Sequence, residues 1–160
     1  MKSLVIFDTV SGNTEKIAKA IGEAISESGE AEVLSVGEVD PSKLSSVDFL
    51  VVGSPTHGGR PTADLKKIIN SISENGLQEV SVAAFDTRID AGDKGIGIRM
   101  VTGVLGYAAG RIGKNLRQKG GEQVGKPEGF IVEDREGPLK TGELKRAKEW
   151  VKDILDTMAR

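Results

Sequence analysis

The sequence predicts an α/β domain in which a parallel sheet carries helices on both faces. Three observations predict it. Continuous apolar runs such as Leu4-Val5-Ile6-Phe7 read as strands buried on both faces. Stripes of apolar residues at helical spacing separate most of those runs. Strands that alternate with helices in this way return in one direction, which makes the sheet parallel.

The first strand covers Leu4 to Phe7. A helix starts near Asn13, with Ile17, Ala20, Ile21, Ala24 and Ile25 on one stripe and Gly29 as its stop. Ala31 to Val36 gives a second strand. Pro41 breaks the next connection, with a helix or irregular turn near Ser42 to Ser46. Val47 to Val52 is the third strand, ending at Gly53. Leu65, Ile68, Ile69 and Ile72 mark a second helix between Thr62 and Ser73. Val80 to Phe85 is the fourth strand. Asp86 to Gly103 is rich in Gly and charge and lacks periodicity, a long connection of the kind that usually carries function. Leu105, Ala108, Ala109, Ile112 and Leu116 mark a third helix, stopped by Gly120-Gly121. Phe130-Ile131-Val132 closes a fifth strand. Gly137-Pro138 reads as a turn and Thr141 as the N-cap of a last helix. That helix carries Leu144 as its first buried residue, then Ala147, Val151, Ile154, Leu155 and Met158. With no repeat, low-complexity segment or linker, residues 1–160 read as a single domain.

Composition removes several functions. A formal net charge of -2 gives no reason to expect nucleic acid or an anionic membrane as partner. One His and no Cys exclude Cys-ligated zinc, iron-sulfur clusters, thiol catalysis and disulfides. No apolar run reaches the ~18 residues of a membrane span, and Asp8 cuts the N-terminal run too early for a signal peptide. A cytoplasmic location is the default expectation.

In open parallel sheets, ligands bind beyond the carboxyl ends of the strands, where the strand order switches. The segments after strands one, three and four are therefore the candidate site. Thr9-Val10-Ser11-Gly12-Asn13-Thr14 lies between the first strand and a helix start, and offers three hydroxyls, one amide and a glycine. Gly12 lets the backbone turn tightly against a ligand. The first N–H groups of the helix lack intrahelical partners, so the loop suits a phosphate. Read as residues alone, Ser11 or Asn13 also suits a plain helix cap.

Thr-x-Ser-Gly-Asn-Thr directly after a first strand resembles the phosphate loop of flavodoxins. Ser11 stands where Thr is frequent and keeps the hydroxyl. The resemblance covers nearly the whole chain in element order. It implies a flavodoxin-like three-layer sandwich, a five-stranded parallel sheet of order 2-1-3-4-5, and FMN as cofactor. Gly53-Ser54-Pro55-Thr56-His57-Gly58-Gly59-Arg60-Pro61 is similar to the loop that lies beside the flavin ring in that family. The resemblance implies contact from Pro55, Thr56, His57, Gly58 and Gly59. It also implies that a peptide at Gly58 or Gly59 turns its carbonyl toward flavin N5 when N5 gains a proton. The aromatic residue that flavodoxins usually place over the ring is missing from this loop, so either stacking is weaker or the His57 imidazole replaces it; a lone His also reads as a surface residue. Phe85-Asp86-Thr87-Arg88 stands where flavodoxins bring their second flavin loop, which makes Asp86, Thr87 and Arg88 further contacts. Arg88 reads equally as a surface ion pair with Asp86, Asp90 or Asp93. If Arg88 and His57 do face the flavin, they favour its reduced, anionic form.

The run Ala84 to Arg88, with Gly137-Pro138-Leu139 near the end, resembles a subgroup of flavodoxin-like proteins. The residues show no required chemistry in that ending. Arg111, Lys114 and Arg117 form a basic ridge that reads as a solvated face, with docking of an acidic partner as the alternative. Other parallel-sheet functions fail on residues: there is no Asp ending strand three for a phosphate receiver, no G-x-x-x-x-G-K-[ST], and no G-x-G-x-x-G after the first strand. The sequence thus points to an FMN electron carrier working between redox protein partners, a reductase and an acceptor. The alternatives are an FMN-dependent NAD(P)H oxidoreductase, which the long Asp86–Gly103 connection favours, and a binding module without redox activity, which the intact phosphate loop opposes.

Overall fold

A computed structural model of the chain describes residues 1–89 and 107–160. The N-terminal apolar run forms β1 (Lys2–Phe7). After it come α1 (Asn13–Ser26), β2 (Glu30–Ser35), a short 3-10 turn at Pro41–Ser45, β3 (Phe49–Pro55) and α2 (Ala63–Asn70). The chain continues with β4 (Ser81–Ile89), α3 (Ala108–Gln118), β5 (Glu122–Gln123), β6 (Glu128–Val132) and α4 (Glu143–Met158). All described strand pairs are parallel, in the order β2-β1-β3-β4-β5, the expected 2-1-3-4-5, with β6 also on β4.

The continuous apolar runs work because each feeds two cores at once. Side chains alternate across a strand. Leu4, Ile6, Leu50 and Val52 pack with Ile69 and Ile112 on one face. Val5, Phe7, Phe49 and Val51 pack with Ile17, Ile21 and Val151 on the other. Phe85, Phe130 and Trp150 join the second core edge to face, with ring centroids 6.0–6.4 Å apart.

Three expectations need correction. The fifth strand is two pieces on one edge of β4. Glu122 and Gln123 pair with Ser81 and Val82, and Glu128 resumes opposite Phe85, a register slip of two residues. Pro127, which has no N–H to donate, falls in the gap. The fourth strand does not end at Phe85 but runs to Ile89, since β6 pairs with Phe85 through Ile89. Finally, Leu144 is 44% exposed and Glu143 is the buried residue at the start of α4. The N-cap is Gly142, at φ +91°, in place of Thr141.

Glu143 turns inward because β6 needs it. Its Oε2 accepts the Ile131 N–H at 2.7 Å, and Arg146 donates Nε to Oε1 at 2.9 Å and Nη2 to Oε2 at 2.7 Å. Burial pushes the Glu143 carboxyl up, but the Arg146 guanidinium and the Ile131 N–H outweigh it and hold the group below the usual carboxylate range. Arg146 is pushed up in return, chiefly by Glu143. Most of the expected Asp86–Gly103 connection, including Asp90, Asp93 and the Gly95-Ile96-Gly97 run, lies outside the described residues, as does Leu105.

Candidate functional site

β1, β3 and β4 end side by side, and the segments after them enclose a cavity of about 750 Å³. Its wall holds Val10, Ser11, Asn13 and Thr14 from the first loop, and Pro55, Thr56, His57 and Gly58 from the second. Thr87, Arg88 and Ile89 come from the end of β4, and Val132, Arg135 and Glu136 from the segment after β6.

The first loop is built to present backbone N–H groups. Thr9 Oγ1 accepts the Gly12 N–H at 2.9 Å, which curls the loop. Gly12, the N-cap of α1, sits at φ +93°, and no side chain caps the helix start. A Cβ on Gly12 would meet nothing within 4 Å, so the space above it is open. The first N–H groups of α1 therefore remain for a ligand, with the positive end of the helix dipole behind them. The loop is held from below. Asn13 Nδ2 donates to Ser11 Oγ at 3.1 Å, and the hydroxyls of Thr14 and Thr87 share a 2.8 Å hydrogen bond. Asn13 and Thr14 are buried. Thr9 and Gly12 are not among the lining residues; their hydrogen bond sets the curl of the loop that lines the cavity.

The second loop is pinned at its base and ends in a tight turn. Buried Ser54 Oγ accepts the Thr62 N–H at 3.0 Å, and the Thr56 N–H donates to the Thr87 carbonyl at 2.9 Å. His57 and Arg60 exchange backbone hydrogen bonds of 2.9 and 3.0 Å across Gly58 and Gly59. The two glycines sit at φ +56° and +77°. Two consecutive positive φ angles are what a type I′ turn demands, which is why both positions are glycine. His57 and Gly58 are exposed on the cavity side, whereas Gly59 is buried behind them.

At the end of β4, Asp86 is fully buried beneath the wall, not on it, and this corrects its expected contact with a cofactor. Arg88 grips it with two hydrogen bonds, Nε to Oδ1 at 2.7 Å and Nη2 to Oδ2 at 2.8 Å. The Ala109 N–H donates to Oδ2 at 2.9 Å and the Ala108 N–H to Thr56 Oγ1 at 3.0 Å, so β4 and the residue just after β3 together cap α3. The Arg88 guanidinium also lies 3.4 Å from the centre of the Tyr107 ring. Burial pushes the Asp86 carboxyl up, against Arg88 and the Ala109 N–H, which hold it down. The ion pair expected at the surface is thus a buried one, and Arg88 lines the cavity as well. Its charge is balanced by Asp86, which leaves less of it to favour a reduced, anionic flavin.

Ile89, Val132, Arg135 and Glu136 escape sequence reasoning. The segment after β6 folds back, with the Glu133 N–H donating to the Pro138 carbonyl at 2.9 Å and the Lys140 N–H to the Ile131 carbonyl at 2.8 Å. This return sets Gly137 against the phosphate loop: a Cβ there would lie 2.8 Å from the Asn13 amide atoms. The ending in which the residues show no required chemistry therefore forms the fourth wall. The visible signal is Gly137 itself, which sits at φ +101° where a side chain has neither the conformation nor the room.

These features fit FMN. An uncapped helix start suits its phosphate, and Thr and Ser hydroxyls suit the ribityl chain. Ile89, Val132 and Val10, which is 72% exposed, offer apolar surface to a flat ring. The volume is that of an ordinary cofactor site. Among the described residues, no group of three or more His, Cys, Asp or Glu could hold a metal ion.

Residues 5–150 match the flavodoxin family profile. The chain is 32% identical over 119 residues to a flavodoxin of Clostridium saccharobutylicum, covering 69% of this chain and 74% of that protein. It is 27% identical over 165 residues to a flavodoxin of Picosynechococcus sp., covering 94% of each. Its fold superposes on oxidised flavodoxin 1 of Bacillus cereus with a TM-score of 0.75 at 19% identity, over 98% of both chains.

Proposed function

The chain belongs to the flavodoxin family, whose members bind FMN and transfer electrons, and from that premise we propose that it carries electrons between a protein reductase and a protein acceptor without a substrate of its own. The observation that carries this reading is the uncapped start of α1 under Gly12, opening into a cavity walled by the loops after β1 and β3, the end of β4 and the segment after β6.

FMN, when bound, supplies reversible storage of one or two electrons. The chain's own residues do the rest. Ser11, Asn13 and Thr14 hold the phosphate with side chains and N–H groups, and Thr9 and Gly12 shape their loop. Pro55, Thr56, His57, Thr87, Arg88 and Ile89 position the ring and exclude water from its inner edge. With FMN bound, the Gly58 carbonyl would be the acceptor available to a ring N–H. Its peptide turns without displacing His57 or Arg60, because glycine occupies both central positions of the turn. No helix among the described residues is long and apolar enough to cross a membrane; a cytoplasmic location is part of the proposal.

Purified protein is expected to be yellow and to release FMN on denaturation. Anaerobic mixing with NADH or NADPH separates carrier from oxidoreductase: the colour is expected to persist until a reductase is added, and rapid bleaching without one would overturn the carrier reading. Gly12→Ala tests the phosphate seat. Its Cβ enters the open space above the loop, at a φ that suits glycine alone. FMN affinity is expected to fall about tenfold to a hundredfold, roughly 1.4–2.7 kcal/mol. Apoprotein stability should change by only ~1 kcal/mol. Fluorescence titration of the apoprotein with FMN reads the first, and urea unfolding the second. An unchanged Kd would remove Gly12 from the site.

A further inference from the structure

A second concavity lies beside the flavin cavity. It too is about 750 Å³, and Arg60, Lys66, Arg111 and Lys114 line it together with Asn115 and Gln118, with no carboxylate among the described lining residues. It runs between the start of α2 and one face of α3. Arg60 is the last residue of the tight turn whose first two, His57 and Gly58, line the flavin cavity, so one turn separates the two. Arg60, Lys66 and Lys114 are exposed and form no ion pair among the described residues.

Four cations in one groove stand out on a chain whose formal net charge is -2, because the remaining surface must then carry an excess of carboxylates. Part of that excess lies on another wall of the flavin cavity: Glu133, Asp134 and Glu136 are exposed on the segment after β6 with Arg135 between them, a net acidic run of which Arg135 and Glu136 line the cavity. The mouth therefore has a basic lip and an acidic lip. Like charges gathered at a surface repel one another, and a counter-charged partner relieves that repulsion.

We propose that this groove docks the acidic face of a redox partner protein and so brings the partner's redox centre to the flavin edge at His57 and Gly58. The inference rests on the carrier reading above. None of the four cations is buried, and they are spread over a turn and two helices. Such an arrangement suits many weak contacts with a protein face, whereas a small anion needs converging donors. The lips of opposite charge fix which way round the partner sits, since a reversed partner would set like charges together. One electron passes from the partner's reduced centre to the flavin, and no atom is exchanged.

The test uses the FMN-loaded protein mixed in a stopped-flow apparatus with reduced [2Fe–2S] ferredoxin, an acidic donor, as ionic strength is raised. The second-order rate constant is expected to fall about tenfold with salt. In Lys66→Glu/Lys114→Glu it is expected to start about tenfold lower and to rise with salt, with colour and FMN affinity unchanged. Cytochrome c, a basic acceptor oxidising the reduced protein, is expected to show the opposite change. A wild type and variant that hold FMN but react alike with ferredoxin would overturn the docking proposal alone. A wild type that holds no FMN would overturn the carrier reading beneath it. Direct reduction of the wild type by NADPH that the variant loses would overturn docking in favour of a dinucleotide subsite.

Discussion

Asp86→Ala is expected to destabilise the folded protein by about 3–5 kcal/mol, the range for removing one partner of a buried ion pair. Three losses coincide. The Arg88 guanidinium, its side chain only 20% exposed, keeps its charge and loses both hydrogen bonds. The Ala109 N–H loses its acceptor, which removes one of the two caps of α3. Arg88 is then free to leave the Tyr107 ring and the cavity wall. Asp86→Asn keeps one acceptor for Ala109 but not the charge, and should fall between wild type and Ala. Urea unfolding of the three apoproteins, followed by far-ultraviolet circular dichroism, ranks them. A loss under ~1 kcal/mol for Asp86→Ala, the worth of an exposed pair, would show that Asp86 is no structural anchor.

Gly53→Ala should produce the other large effect, by a different route. Gly53 lies beside Phe85 across the sheet, and a Cβ there would sit 2.0–2.3 Å from atoms of the Phe85 ring. That ring is fully buried and stacked edge to face with Phe130 and Trp150. It cannot withdraw without breaking those contacts, so overpacking is expected to cost at least ~2–3 kcal/mol. Phe85→Leu alone removes volume and costs stability too. The double variant should recover part of both losses, with a coupling of ~1 kcal/mol or more. Melting the four proteins of this cycle decides it, and strict additivity would mean that the ring and Gly53 do not meet.

Both predictions concern features that the sequence shows only in part. The run Leu4 to Phe7 announces a strand because every residue in it is apolar, and every one is buried. Residues Asp86 to Arg88 announce a loop because they are polar or charged, yet they continue β4. Pairing with Arg88 and Ala109 makes Asp86 compatible with burial, and both its partner on α3 and the pairing with β6 are distant in sequence. Leu144 and Glu143 exchange their expected places for a similar reason: an N–H at Ile131 makes the inward position worth more to a carboxylate than to an apolar chain. At the site, the loop after β1 is legible as a turn into an uncapped helix start, since that conformation is local to six residues. The wall formed by Arg135 and Glu136 is not. It exists only because the chain reverses after β6 and sets Gly137 on Asn13. The split of the fifth strand was hidden by its length, for Glu122 and Gln123 are too few to show a period.

The Glu143–Arg146 pair also answers a question about self-association. A strand at the rim of a sheet normally leaves its outward N–H and C=O groups bare, a template on which a second molecule can extend the sheet. On β6 those groups are taken. Glu143 receives the outward N–H of Ile131, Arg146 donates to the Gly129 carbonyl, and Lys140 donates its N–H to the Ile131 carbonyl. A helix and a returning loop thus stand in for the missing neighbour strand. The slip between β5 and β6 shortens the rim to pieces of two and five residues. Along β6 the backbone groups that an added strand would need are already taken by the molecule's own side chains and returning loop.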